Sequence, residues 1–174
     1  MTQLLLPDRR RYDEWWALVD ELVASEGEPA PAGSGLWAAG DRTGRDRFAF
    51  WLENSERYAS SATLLPEGRV PATQWVIADD DGVYVGFLQM RHELNDFLLD
   101  VGGHIGYSVR PTRRREGHAS RALGLAVRRA ADLGLDRVLV TCDDDNLASA
   151  RTIESQGGVL EDVRDVKRRY WIAV

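Results

Sequence analysis

Hydrophobic positions recur along this chain with two different periods, and the changes of period divide it into elements. A short apolar run, Leu4 to Leu6, ends at Pro7 and reads as a first strand. Asp8 is then a plausible cap for a helix on which Tyr12, Trp15, Trp16, Val19, Leu22 and Val23 fall at helical spacing. Residues 27–44 are rich in Gly, Pro and Ala and read as a loop. A second helical pattern covers residues 46–60, with Phe48, Trp51, Leu52 and Tyr58 turned inward. Past Pro71 the pattern becomes strand-like. Residues 73–78 and 83–92 flank the turn Asp79-Asp80-Asp81-Gly82 and predict a hairpin. A partly apolar connection over residues 93–103 leads to another strand, residues 104–109.

The second half alternates between strands and helices. Residues 121–133 predict a helix. Residues 137–142 form a short continuous apolar run, as expected of a strand buried on both faces. Asp143 to Asn146 then leads into a helix with Leu147, Ala150 and Ile153 on one face, closed by Gly157-Gly158. Residues 159–163 and 169–174 predict two final strands, antiparallel to each other.

With 174 residues the chain can bury a substantial core in one domain. A net charge of -6 argues against a general nucleic-acid binder, which carries a basic surface. Cys142 is the single cysteine, so an internal disulfide and a paired-cysteine metal site are excluded. His92, His104 and His118 show no short metal-ligand spacing, so no metal is expected. The apolar run at the N-terminus is too short for a signal peptide and no segment is long enough to span a membrane. A cytoplasmic protein without a membrane partner is the expectation.

The most informative stretch runs from Arg110 to Ser120. It follows a strand, carries Arg113-Arg114-Arg115 and Gly117, and precedes a helix. A helix start offers unpaired N–H groups and a partial positive charge, and a glycine lets an anion approach the backbone. Alone, the arginine run also fits a solvated surface turn. Asn146 marks a second polar helix start one strand further on; by itself it reads equally as a helix N-cap.

Together these residues resemble the GNAT family of N-acetyltransferases. The family's cofactor signature, Arg/Gln-x-x-Gly-x-Gly/Ala, is matched by Arg114-Arg115-Glu116-Gly117-His118-Ala119. Gly106-Tyr107-Ser108-Val109-Arg110-Pro111 stands before it, and Asn146-x-x-Ser149-Ala150 through Gly157 fits the later part of the pattern. The similarity covers Val76 to about Val174; Arg91 to Asn95 and Gly157 to Glu161 look like a bacterial branch of the family.

The resemblance implies an α/β (α+β) fold: a strongly twisted mixed sheet of six to seven strands with about four helices. Its central parallel pair, residues 104–109 and 137–142, would splay at the cofactor site. It also implies one domain over residues 1–174, with 1–70 the variable acceptor-side helices and 71–174 the cofactor-binding core. The cofactor would be acetyl-CoA. Its pyrophosphate would lie on the N–H groups of Arg115, Glu116, Gly117, His118, Ala119 and Ser120, with Arg114 supporting the turn. Tyr107, Ser108 and Val109 would run beside the pantetheine arm, and Asn146 would bond that arm, with Ser149 one helical turn beyond. The partner would be a small-molecule or peptide amine, and pairing through edge strands would give a homodimer.

In the family an amine attacks the thioester directly, so it must first lose a proton. Glu93, at a strand end, and His104, at the start of the central strand, are the candidate bases. The tyrosine that serves the family as acid is replaced by Ile153. Ser149 and Tyr170 are the substitute candidates, with Tyr107 as either a site or a packing residue. The missing tyrosine also admits a non-catalytic module that binds acyl-CoA. Cys142, without a paired histidine, reads as an inert buried thiol. Trp37 is a candidate for the acceptor pocket.

Overall fold

A computed structural model describes residues 1–27, 30–60 and 64–174. Part of the predicted loop, at 28 and 29, therefore lies outside the described residues. Seven strands form one mixed sheet: β1 (Gln3–Leu5), β2 (Ala72–Ala78), β3 (Tyr84–Arg91), β4 (Ile105–Val109), β5 (Arg137–Asp143), β6 (Val159–Arg164) and β7 (Lys167–Ala173). Their order is β1-β2-β3-β4-β5-β7-β6. All neighbours are antiparallel except β4 and β5. Among the described residues the α-helices are α1 (Tyr12–Glu26), α2 (Gly44–Ala59), α3 (His118–Ala130) and α4 (Leu147–Glu154).

The strand period of two gives the sheet two buried faces. On one, Ile77, Leu88, Met90, Ile105, Val138, Val140 and Ile172 pack against Ala122, Leu123 and Ala126 of α3 and Ile153 of α4. On the other, Val76, Ala78 and Phe87 meet α1 and α2. The helical spacing read for residues 12–23 delivers Trp15 to that second core, with ring centroids 5.0 Å from Phe48 and 5.5 Å from Trp51. Each such aromatic buries roughly 150–250 Å², and Trp51 also meets Phe87 of β3 at 5.8 Å, so the cluster joins α1 and α2 to each other and to the sheet.

The structure departs from the pattern at several places, three of them near the ends of helices or in the 93–103 connection. Asp8 does not cap α1. Its carboxylate accepts from the Arg10 N–H instead, and α1 starts after Arg11. The stretch 98–102 is a turn of π-helix, which periodicity did not separate from the connection. Helix α3 begins at His118, three residues before the predicted start, because His118 is itself buried and belongs to the packed face.

Candidate active site

The site forms where β4 and β5 part. Their parallel pairing is held at one register position, Ile105 opposite Val140, with an adjoining bond from the His104 N–H to the Leu139 carbonyl at 2.7 Å. Beyond that point the strands share no register, and a gap opens toward the amino ends of α3 and α4.

The turn before α3 is shaped for an anion. Arg115 and Gly117 both have positive φ, +67° and +80°, so the backbone between them curls and exposes successive N–H groups. The first bond closing α3 runs from the Arg121 N–H to the Gly117 carbonyl, which leaves the N–H groups of His118, Ala119 and Ser120 at the open end of the helix. Arg114 supports the turn from below: its Nε donates to the Val109 carbonyl at 2.8 Å. That bond engages the carbonyl expected to face the pantetheine arm.

Two further arginines near the turn are paired on its outer side. Arg113 bridges Asp79 and Glu116. Arg110, at the end of β4, pairs with Glu21 of α1. Burial pushes the Glu21 carboxyl up, but hydrogen bonds from Arg110 and Thr112 outweigh it and hold the group at about 2. His118 turns its side chain away from the open helix end. Its ring is buried, with Nδ1 3.0 Å from the Thr2 hydroxyl and Nε2 3.2 Å from Glu116, so only its main chain can serve the cradle. Ser120 shares its hydroxyl with Ser155 and Gln156, joining α3 to α4.

Across the gap, Asn146 is the N-cap of α4 and accepts the Ser149 N–H at 3.0 Å. The Ser149 hydroxyl lies 2.8 Å from the Tyr107 hydroxyl, so a bonded pair of hydroxyls links β4 to α4. Burial pushes the Tyr107 phenol up to about 12. Ser108 points to the opposite face, beside Phe87, and its hydroxyl is buried without a partner, which leaves only its main chain for the cofactor side. Ile153 is fully buried in the core and packs against Gly158. Burial pushes the Cys142 thiol up, in keeping with an inert thiol.

The other candidate residues are not drawn together. Tyr170 is buried in the same core as Ile153, and its hydroxyl donates to Glu154 at 3.1 Å, at the far end of α4. Glu93 is exposed, two residues beyond the end of β3. His104 is buried, and its Nδ1 accepts the Leu139 N–H at 2.9 Å. That bond consumes the lone pair a base needs and puts the ring proton on Nε2. Burial, reinforced by the nearby Arg91, lowers His104 to about 4. Trp37 is partly exposed and lines a small cleft with Gly35, Tyr58, Ala72, Gln74 and Gln89, under a cation–π contact from Arg69. The pairs Thr2–His118 and Tyr107–Ser149 were missed in the sequence, since their members lie far apart in the chain. Arg91 left a weak signal, a charge closing an apolar strand.

Comparison with known proteins agrees with this geometry. Residues 36–159 match the model of the acetyltransferase (GNAT) domain. No curated protein matches the chain by sequence. Among solved structures, the microcin C7 self-immunity acetyltransferase MccE, in complex with acetyl-CoA and AMP, superposes with a TM-score of 0.70 at 18% identity, over 99% of this chain and 92% of that one. The ribosomal L7/L12 alpha-N-protein acetyltransferase RimL, in complex with coenzyme A, gives 0.71 at 15% identity, over 99% and 94%. Spermidine N-acetyltransferase from Vibrio cholerae, in complex with CoA and spermine, gives 0.65 at 14%, over 99% and 95%. These likenesses share the fold, and the domain match covers most of the chain: it belongs to the GNAT family and is an acetyl-CoA-dependent N-acetyltransferase.

Proposed function

We propose that the parting of β4 and β5 is the transfer site for a primary amine, small molecule or peptide, and that the residues around it divide into a cofactor side and an acceptor side. The observation that carries this reading is the single register pair between β4 and β5, with the open end of α3 and the Asn146–Ser149 cap converging on the gap beyond it. The residues fit the cofactor. A curled backbone with an αL residue at 115 and at 117 suits a pyrophosphate, and Asn146 offers an amide to an amide-bearing arm. Acetyl-CoA supplies an activated thioester that an amine can attack directly.

In this reading the main chain of residues 115–120 holds the phosphates, and Arg114 fixes the turn that presents them. Main-chain groups of Tyr107, Ser108 and Val109 border the arm, with Asn146 opposite. The Tyr107–Ser149 hydroxyl pair stands in for the family tyrosine that Ile153 replaces. A phenol held near 12 stays protonated at neutral pH, so the pair can donate a hydrogen bond to negative charge building on sulfur. His104 is not the base, since its lone pair is spent. Glu93, or water relayed from it, is the base that remains.

Residues 1–70 form the acceptor side and 71–174 the cofactor core of one domain. Gly33 supports this division: a Cβ there would lie 2.2 Å from the Gly106 carbonyl, so the loop after α1 lies directly on β4. Edge strand β6 exposes Val159, Leu160 and Val163, and two copies pairing through it would sediment as a dimer. The test of the transfer site is thermal stability against acetyl-CoA, followed by CoA release with a panel of amines. A melting temperature that does not move at saturating acetyl-CoA would sink the reading.

A further inference from the structure

The face of the sheet opposite α3 and α4 holds a group that nothing above uses. Arg91 closes β3 with its side chain directed beside Gly106, Nη1 lying 3.7 Å from where a Cβ on that glycine would stand. Nη1 donates to the carbonyls of Gly102 and Gly103 at 3.2 and 3.3 Å. Among the described residues, Nε and Nη2 make no hydrogen bond and are not sealed from solvent, and Arg91 forms no ion pair. Burial alone lowers its pKa; no carboxylate contributes.

Arg169, on the same face, shows what a merely structural arginine looks like here. It also tethers the 98–102 turn, donating to the Leu99 carbonyl at 2.9 Å, but its charge is matched by Glu161 and Asp162, each at 2.7 Å. Arg91, partly exposed at the end of β3, can be reached by an incoming anion that its guanidinium would bind with charge-assisted hydrogen bonds.

Two neighbours share the same imbalance. The Arg91 N–H donates to the His104 carbonyl at 2.8 Å, so the two residues are adjacent. With Nδ1 accepting from Leu139, His104 carries a proton on Nε2, which has no acceptor among the described residues. Trp171 lies edge-on to His104, ring centroids 6.3 Å apart, and its indole N–H is buried without an acceptor. All three side chains donate, and none has a carboxylate to answer it.

We infer that Arg91, with the Nε2–H of His104, binds an anionic group on the acceptor, so that the enzyme acetylates amines bearing a carboxylate or phosphate rather than polyamines. Gly106 lies one residue past the last β4–β5 pair, so an acid held at Arg91 leaves its amine within a short reach of the gap. This inference rests on the acceptor side proposed above.

The test is CoA release with matched acceptors: an amino acid against its amide, phosphoethanolamine against ethanolamine, and spermidine as the cationic extreme. The acid-bearing member is expected to show at least tenfold higher kcat/KM, and whichever pair shows it separates carboxylate from phosphate. Arg91→Met should remove that preference by raising the KM of the acid-bearing member at least tenfold more than that of its partner, and Arg91→Lys should restore part of it. Preference for spermidine or for the members without an acid group in the wild-type protein overturns the inference. So does an Arg91→Met that slows both members of a pair equally, the mark of a tether.

A binding measurement needs neither turnover nor a variant. CoA-saturated wild-type protein should be stabilised by an N-acetyl amino acid and not by its amide, and equal or absent shifts overturn the anion site. A protein stabilised by acetyl-CoA but indifferent to the acid loses the anion site alone. One stabilised by the acid but not by acetyl-CoA keeps that site and loses the transfer site.

Discussion

The two sides of the β4–β5 gap are built on opposite principles. On the α3/α4 side, the groups aimed at the gap belong largely to the main chain: N–H groups at the start of α3, fixed by the left-handed residues Arg115 and Gly117. The side chains around them, Arg113, Arg114 and His118, are turned outward or beneath and mutually satisfied. On the opposite face of the sheet the main chain is committed to the ladder, and the side chains of Arg91 and His104 keep donors unspent. Backbone recognition suits a ligand that never changes. Side-chain recognition suits an acceptor that varies among members of one fold, since single substitutions re-aim it without disturbing the strands.

The comparison breaks most sharply at Gly117. A ligand at a hundred times its Kd stabilises a native protein by about 2.7 kcal/mol. Gly117→Glu is expected to abolish the whole acetyl-CoA shift. The residue sits at φ +80°, where a side chain is strained, a Cβ would meet Arg121 Nη1 at 2.6 Å, and the carboxylate would oppose the phosphates. Comparing ligand-free melts separates strain from lost binding, and a shift of wild-type size would show that the backbone of this turn does not hold the cofactor.

The second prediction concerns the opposite side and is read in pH. His104 is held at about 4, against an ordinary value near 6.5, by burial and by Arg91. The unfolded chain therefore takes up the proton first as pH falls. The contribution is fully present above about 6.5 and is lost as pH drops to about 4, a change of order 3 kcal/mol. His104→Asn keeps an oxygen to accept the Leu139 N–H and removes the titration. Denaturant unfolding between pH 7 and 4 should flatten in the variant, while the pH profile of kcat/KM keeps its acid limb. Loss of that limb would restore His104 as the base.

Third in size is Tyr107→Phe. It removes one hydroxyl of the pair spanning β4 and α4, and kcat should fall about tenfold, or about 1.4 kcal/mol, with the acetyl-CoA shift retained. Ser149→Ala should cost a similar factor, and the double variant little more, because the two hydroxyls act as one bonded unit. Additive losses would mean that the pair does not act together.

The sequence made one side of this comparison far more readable than the other. Periodicity placed all seven strands, because alternation and apolar runs are local consequences of burial, while the splayed pair came from the family resemblance. The cofactor turn was readable for the same reason: Gly117, the arginines and the following helix are consecutive. The acceptor side depends on neighbours separated in the chain. Gln74 holds the Gly33 carbonyl from 41 residues away, and Leu139 claims His104 from 35 away. Nothing local to His104 announces that its lone pair is taken, so its residue type suggested a base that the fold does not provide. The partner of the His118 ring, Thr2, lies 116 residues distant and was equally out of local view.

The smallest effect sharpens the boundary between scaffold and site. Asn146 caps α4 through its side-chain oxygen, and Asn146→Ala should lower stability by about 1 kcal/mol, as cap removals do. That loss alone would not distinguish a cap from a cofactor ligand. Asn146→Asp does, because a carboxylate accepts the Ser149 N–H equally well and is favoured at a helix start, yet has no N–H to give. Stability should return to the wild-type level in Asn146→Asp. If the amide also donates to the cofactor arm, the acetyl-CoA affinity of that variant stays reduced, by severalfold to about tenfold for one lost hydrogen bond. Recovery of both quantities would make Asn146 a cap alone and leave recognition on the α3/α4 side to the main chain.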